Sequence, residues 1–228
     1  MPAASLMDAV DLLMDVDDIF GKDAACPASI DKKHERFILI TGDNASGKSF
    51  MAKHLKVGFD ESGEKVEFIP VTMEMRTAPG MQRAFMFGME DHSTGNVSVR
   101  SVLTALRTCR ERTQRHFLLL DEPDIGVSES YARAMGETIA RFVNEMPELT
   151  VGLAVVTHSR AMVRELMAVN PTSIRVGADQ RPLAQWLEEG PEFRSVADLE
   201  ALAGETHTRM RTIKSVLDSR DDPPAPRR

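Results

Sequence analysis

The sequence predicts an α/β fold: a mostly parallel sheet flanked by helices, with an N-terminal helix and a C-terminal helical appendage. Three observations predict it. Short, continuously apolar runs at 36–41 (RFILIT), 116–120 (HFLLL) and 151–156 (VGLAVV) have the length and composition of strands buried on both faces. Longer segments between them repeat their apolar residues at helical spacing. Strand and helix therefore alternate, as parallel pairing requires when a crossover must carry the chain back to the same end of the sheet.

Residues 4–20 place Leu6, Val10, Leu13 and Phe20 on one face and aspartates on the other, an acidic amphipathic helix suited to docking. Asp15, Asp17 and Asp18 do not make a calcium loop, because Ile19 and Phe20 stand where an oxygen ligand and a glycine are needed. Residues 21–31 are loop by composition, and 36–41 opens the sheet. Residues 48–57 read as a helix, 65–73 as a strand and 84–89 as a further strand. Ser93 or Asn96 caps a helix whose apolar side carries Val99, Val102, Leu103, Leu106 and Cys109. After the strand at 116–120, the helix at 129–146 aligns Met135, Ile139, Phe142, Val143 and Met146. Beyond Pro171, the stretch SIRVG is expected as an edge strand, followed by a helical tail at 196–217 and a polar, proline-rich end. No internal repeat is visible. The expected organisation is an N-terminal helix and linker (1–30), a core (31–180) and a helical appendage with its tail (181–228).

At 228 residues and 42% apolar content the chain suffices for one substantial core. Its net charge of −7 does not advertise nucleic-acid binding by the whole surface. Cys26 and Cys109 have no metal-ligand spacing, which argues against zinc and against a disulfide framework, and a reducing cytosol is the simplest compartment. The N-terminal stretch lacks a basic region and is interrupted by Asp8, Asp11 and Asp15, unlike a signal peptide. No apolar run approaches the roughly 20 residues that span a membrane. A cytoplasmic protein without membrane insertion is expected.

The chemistry concentrates at three strand ends. Gly42, Asp43, Asn44, Ala45, Ser46, Gly47, Lys48 and Ser49 satisfy GxxxxGK[ST] between a strand and a helix. Such a loop curls so that successive N–H groups face one anion, the helix N-terminus adds positive potential, the lysine reaches the outer phosphates and the hydroxyl ligates magnesium. Position 51, Met51, is included in the nucleotide-binding set. At the second strand end, Asp121 is placed to hold magnesium and Glu122 to deprotonate an attacking water. At the third, His158 in VVTHS is placed to contact the γ-phosphate and that water.

These segments resemble the ABC class of P-loop ATPases, which includes transporter nucleotide-binding domains, SMC-type repair ATPases and MutS. GDNASGKS resembles the Walker A motif, LLLDEP the Walker B motif with its catalytic glutamate, and VVTHS the switch-histidine loop. The resemblance covers residues 37 to 159. It implies a P-loop NTPase fold and hydrolysis of ATP with Mg2+, with Glu122, His158 and Lys48 catalytic and Ser49 and Asp121 holding the metal. It also implies a homodimer in which each nucleotide is sandwiched against a signature loop of the partner. Ser93, Thr94, Gly95 and Asn96 are the candidate signature; they differ from LSGGQ and read equally well as a helix cap. The interval from Lys48 to Asp121 is too short for a long coiled-coil insertion or a large transporter lobe, and is closer to MutS.

Other positions depart from the family pattern. Ala45 replaces a frequent glycine, which is tolerable where the backbone angle is ordinary. Ser128 stands where a dimer-contact aspartate is common. Gln82 is the candidate glutamine-loop residue and Phe20 the candidate adenine-stacking aromatic.

Two further readings stay open. A P-loop kinase would pass the γ-phosphate to a small molecule or protein under an arginine lid, for which Arg76 and Arg83 are available. A nucleotide-gated module would act through a protein partner or DNA, docking by the helix at 4–20 or the tail from Pro191. Arg100, Arg107, Arg110, Arg112 and Arg115 form either a phosphate-gripping strip or a solvated face balanced by acidic neighbours. No NKxD-type segment supports a GTPase.

Overall fold

The computed structural model describes residues 5–61, 65–72 and 94–221; the strand expected at 84–89, with Arg76, Gln82, Arg83 and Ser93, lies outside them. The strands are β1 (Ala28–Asp31), β2 (Phe37–Gly42), β3 (Glu67–Val71), β4 (His116–Asp121), β5 (Thr150–Val156) and β6 (Thr172–Val176). They form one sheet in the order β1-β6-β2-β5-β4-β3, parallel except for β1. The helices are α1 (Leu6–Met14), α2 (Asp17–Phe20), α3 (Lys48–Glu61), α4 (Thr94–Glu111), α5 (Glu129–Asn144), α6 (Arg160–Leu166), α7 (Leu183–Glu189) and α8 (Val196–Asp221). This is an α/β architecture, a mostly parallel sheet with helices packed on both faces.

Alternation along the strands divides the core in two. Phe37, Leu39, Leu118, Leu120, Leu153 and Val155 face α4, α5, α6 and α7. Ile38, Ile40, Phe117, Leu119, Ala154 and Val156 face α1, α2 and α3, where Ile213 of α8 joins them. Every residue of β2, β4 and β5 is buried, which explains why these strands read as unbroken apolar runs.

Three expectations change. The helix at 4–20 is two helices: Ser5 and Asp8 form a capping box at the start of α1, and the chain breaks at Asp15 and Val16 before Asp17 and Asp18 restart it as α2. Acidic residues favour a helix N-terminus, so an aspartate run begins a second helix more readily than it extends the first. The face of α1 meant for docking, Leu6, Ala9, Val10 and Leu13, is buried within the chain, largely against α3. Finally, SIRVG is not at the edge: β6 lies between β2 and β1, and all five of its residues are buried. The edge is β1, a four-residue strand inside the segment read as loop, paired antiparallel from Ala28 with Val176 to Asp31 with Ser173.

The order of strands positions the site. The strand that feeds the glycine loop, β2, is separated from the acidic strand β4 by β5, and His158 lies in the loop just beyond the end of β5 at Val156. Parallel strands deliver all three C-terminal ends to one side of the sheet.

Candidate functional site

The glycine loop turns from β2 into α3, and the first-turn amides of a helix have no intrahelical acceptors. Gly47 has φ +102°, and a Cβ there would lie 2.5 Å from the Cys26 sulfur, so the loop is pressed from beneath by a buried thiol. That thiol's pKa is raised by burial, against an opposing influence from Arg209. Ala45 has φ +58°, a left-handed angle and not an ordinary one. The alanine is accommodated at a strain of about 1–2 kcal/mol.

Lys48 is 5% exposed and donates from Nζ to the Asp43 carbonyl at 2.7 Å. Burial lowers its pKa, while Glu122, Asp43 and Asp121 favour its charged form. Ser49 Oγ donates to Asp121 Oδ1 at 3.1 Å, joining the start of α3 to the end of β4. Asp121 is buried and its pKa raised, chiefly by desolvation, with the Ser49 hydrogen bond acting against the shift.

Glu122 leaves the β4 ladder at φ +50°, with its N–H still donating to the Val156 carbonyl at 2.9 Å. A glutamate in this conformation is strained, and such strain recurs where a side chain must be aimed. Its Oε1 faces His158 Nδ1 at 3.8 Å, too long for a hydrogen bond, so both groups keep their polar atoms available. The His158 side chain is 49% exposed and that of Glu122 27%. Thr157 fixes the geometry. Its hydroxyl donates to Asp124 Oδ1 at 2.9 Å and accepts from the Ser159 N–H at 2.9 Å, tying the loops that carry His158 and Glu122.

Ser49 and Asp121 offer magnesium one hydroxyl and one carboxylate, both oxygen donors. No group of three or more His, Cys, Asp or Glu residues converges among the described residues. This pattern fits a cation that takes few protein ligands and completes its shell with water and phosphate oxygens.

The structure thus brings Lys48, Ser49, Asp121, Glu122 and His158 to one side of the sheet. Loop residues Asn44 to Ser49 and Phe50 line a cleft of about 230 Å³ with Glu122; Gly42 and Asp43 line an adjoining cavity of about 550 Å³ with His158. Met51 does not join them: it is fully buried in the core, because α3 turns that position toward the sheet. Phe20 is likewise 2% exposed and packed near Phe50, with no ring face open to a base.

Thr94, Gly95 and Asn96 form the first turn of α4, so Asn96 is not its cap. This turn rests on the chain's own loop after Glu122: a Cβ on Gly95 would lie 2.3 Å from the Gly126 carbonyl oxygen, and Ser98 Oγ donates to the Ile125 carbonyl at 2.8 Å. On the same helix Arg110 pairs with Glu145, and Arg112 just beyond it pairs with Glu67, balancing part of the basic strip.

Sequence reading missed the cover of the cleft. Thr206, Arg209, Met210 and Ile213 of α8 line it opposite the glycine loop. The adjoining cavity shares Asn44, Ser46 and Arg209 in its wall and extends to Arg160 and Trp186, where the Arg160 guanidinium lies 3.9 Å from the ring centroid. Arg194 reaches back to pair with Asp43. No motif or periodicity marks these residues, which lie far from the glycine loop in sequence.

No protein-family model matches the chain, and no curated protein does. Among solved structures it is similar to Cdc6p from Pyrobaculum aerophilum, at 14% identity and a TM-score of 0.38, over 77% of this chain and 47% of that one. The chain spans about half the length of that structure. No helix among the described residues is long and apolar enough to cross a membrane.

Proposed function

We propose that this chain is an ATPase of the ABC class, which binds Mg-ATP at the glycine loop and hydrolyses it. The observation that carries the reading is the meeting, at one side of the sheet, of a phosphate loop, the Ser49–Asp121 oxygen pair and the facing Glu122 and His158. The phosphates take the place of the Asp43 carbonyl as partner of Lys48, which then regains in charge pairing what burial costs its ammonium group. Ser49 and Asp121 hold magnesium, which when bound supplies charge neutralisation on the phosphate oxygens. Glu122 accepts a proton from the attacking water, and His158, aimed from the neighbouring strand, donates to the γ-phosphate or steers the same water. Thr157 keeps the two in register.

The ATP cycle is proposed to close a homodimer, with residues Ser93 to Asn96 of one copy meeting the nucleotide of the other. The N-terminal segment 1–30, the core 31–180 and the appendage 181–228 are proposed as the functional divisions, the core carrying the chemistry and the flanks coupling it to a protein or DNA partner.

Phosphate release from Mg-ATP without any added acceptor is the test. Multiple turnovers are expected. Release only in the presence of a small-molecule or protein acceptor would replace the ATPase by a P-loop kinase. For the dimer, light scattering of the Glu122→Gln variant is expected to show doubling of mass with Mg-ATP; a nucleotide-bound monomer would remove the sandwich.

A further inference from the structure

We infer that Arg209, delivered by the C-terminal helix α8, is a phosphate-binding residue of the same site. The inference rests on the proposal that the cleft takes a nucleoside triphosphate.

Four observations carry it. Arg209 lines both the cleft over the glycine loop and the adjoining cavity, so it stands at the opening between them. Its Nε donates to the Ala25 carbonyl at 2.9 Å, which fixes the plane of the guanidinium. Its Nη1 is buried and finds no hydrogen-bond partner among the described residues. One turn on, Ile213 is 2% exposed and packed in the core, so the helix that presents the arginine is anchored close to it.

Arg181 and Arg194, which line the adjoining cavity, are held in ion pairs. Arg181 pairs with Asp179, Glu189 and Glu192, and Arg194 with Asp43 and Glu192. Arg160 lies over Trp186 and donates to the Gly190 carbonyl at 2.6 Å; its Nη1 is also buried without a partner among the described residues, but it lines only the adjoining cavity and not the cleft over the glycine loop. Arg209 has a backbone carbonyl as its partner at Nε and none at Nη1 among the described residues. A buried guanidinium N–H without an acceptor is costly, and a phosphate oxygen entering the cleft supplies the acceptor with opposite charge. Even with Lys48 and a divalent magnesium together, a triphosphate beside Asp121 and Glu122 stays under-neutralised. A further cation from the opposite wall corrects this, and it grips the phosphates between the sheet and α8.

A purely structural role, bracing α8 through Ala25, is the competing explanation, and the test separates them. The full chain is titrated calorimetrically with Mg-ATP and with inorganic tripolyphosphate, in the wild type, Lys48→Ala, Arg209→Gln and Arg209→Lys. Arg209→Gln is expected to weaken both ligands by the same factor, about 10- to 100-fold, because the contact is to phosphate and not to the nucleoside. Arg209→Lys, which keeps the charge but loses the Nε bond to Ala25, is expected to recover most of the affinity. Unchanged affinity in Arg209→Gln, with Lys48→Ala impaired, would overturn the inference and leave the ATP site standing. Equal impairment by Gln and Lys would also overturn it, assigning Arg209 to bracing. A wild type that binds neither ligand would remove the ATP reading and this inference together.

Discussion

The reacting wall of the cleft stands on the ends of β4 and β5, every residue of which is buried; its opposite wall, α8, reaches the core mainly through Ile213 while Val196, Leu199 and Met210 remain exposed. The first wall is held by the whole sheet. Among its described side chains the second is held by one that is buried, Ile213, worth about 1.5–3 kcal/mol, helped by the partly buried Val216 and the Arg209 bond to Ala25. A division of labour follows from this difference. Groups that must be aimed to within a few tenths of an ångström are on the rigid wall, and a group that has only to close over a charged ligand is on the weakly held one.

The largest effect should come from the rigid wall. Glu122→Gln is expected to lower steady-state ATP turnover by about 10²–10⁴-fold while ATP affinity stays within a few-fold, since the amide keeps the shape and loses the base. Turnover within a few-fold of wild type would take Glu122 out of the chemistry and flatten the contrast between the walls.

On the opposite wall, Ile213→Ala is expected to cost about 2–4 kcal/mol of local stability. That loss should appear as faster amide exchange and proteolysis confined to α8, with ATP affinity reduced and the turnover of saturated enzyme little changed. Loss of the whole fold would show the two walls to be one cooperative unit.

Asp121→Asn sharpens the comparison through pH. Because burial raises the Asp121 pKa, proton uptake there favours the folded state; that contribution is complete below the ordinary carboxylate range and is lost as pH rises through the raised folded value. At neutral pH the ionised carboxylate is therefore a liability in the nucleotide-free protein. Asp121→Asn is expected to raise the nucleotide-free melting temperature by about 2–4 °C, equivalent to roughly 1 kcal/mol, while abolishing the magnesium dependence of ATP binding. A lowered melting temperature at neutral pH would contradict the assignment.

The smallest effect is expected at Ala45. Its left-handed angle is better suited to glycine, so Ala45→Gly should be stabilising by less than about 1 kcal/mol after the added freedom of the unfolded chain is counted. Calorimetric melting reads it directly.

The rigid wall was largely legible in sequence for the same reason that it is rigid. Strands buried on both faces must be continuously apolar, so a polar residue at the end of such a run, as in LLLDE or VVTHS, stands out and its direction is fixed by the parallel sheet. Thr157 was visible in the same motif, yet its tie to Asp124 depends on two loops meeting and could not be read. The edge strand β1 was hidden because four residues among Cys, Pro, Ala and Ser carry no alternation, and with it the central position of β6 was lost. The inward direction of Met51 was available from helical period, since Met51, Ala52 and Leu55 share a buried face of α3. Arg209 was not available: α8 is weakly amphipathic along its length, and only its packing beside Ala25 and Ile213 turns an ordinary surface arginine toward the glycine loop.

The most direct measurement is the fate of ATP bound to the Glu122→Gln variant, read by mixing stoichiometric Mg-ATP with the protein, quenching over minutes and separating the nucleotides. The account expects the variant to hold intact ATP under conditions where the wild type has converted it to ADP and free phosphate. Conversion to ADP at equal rates in both proteins would contradict it and place the hydrolytic base elsewhere in the chain.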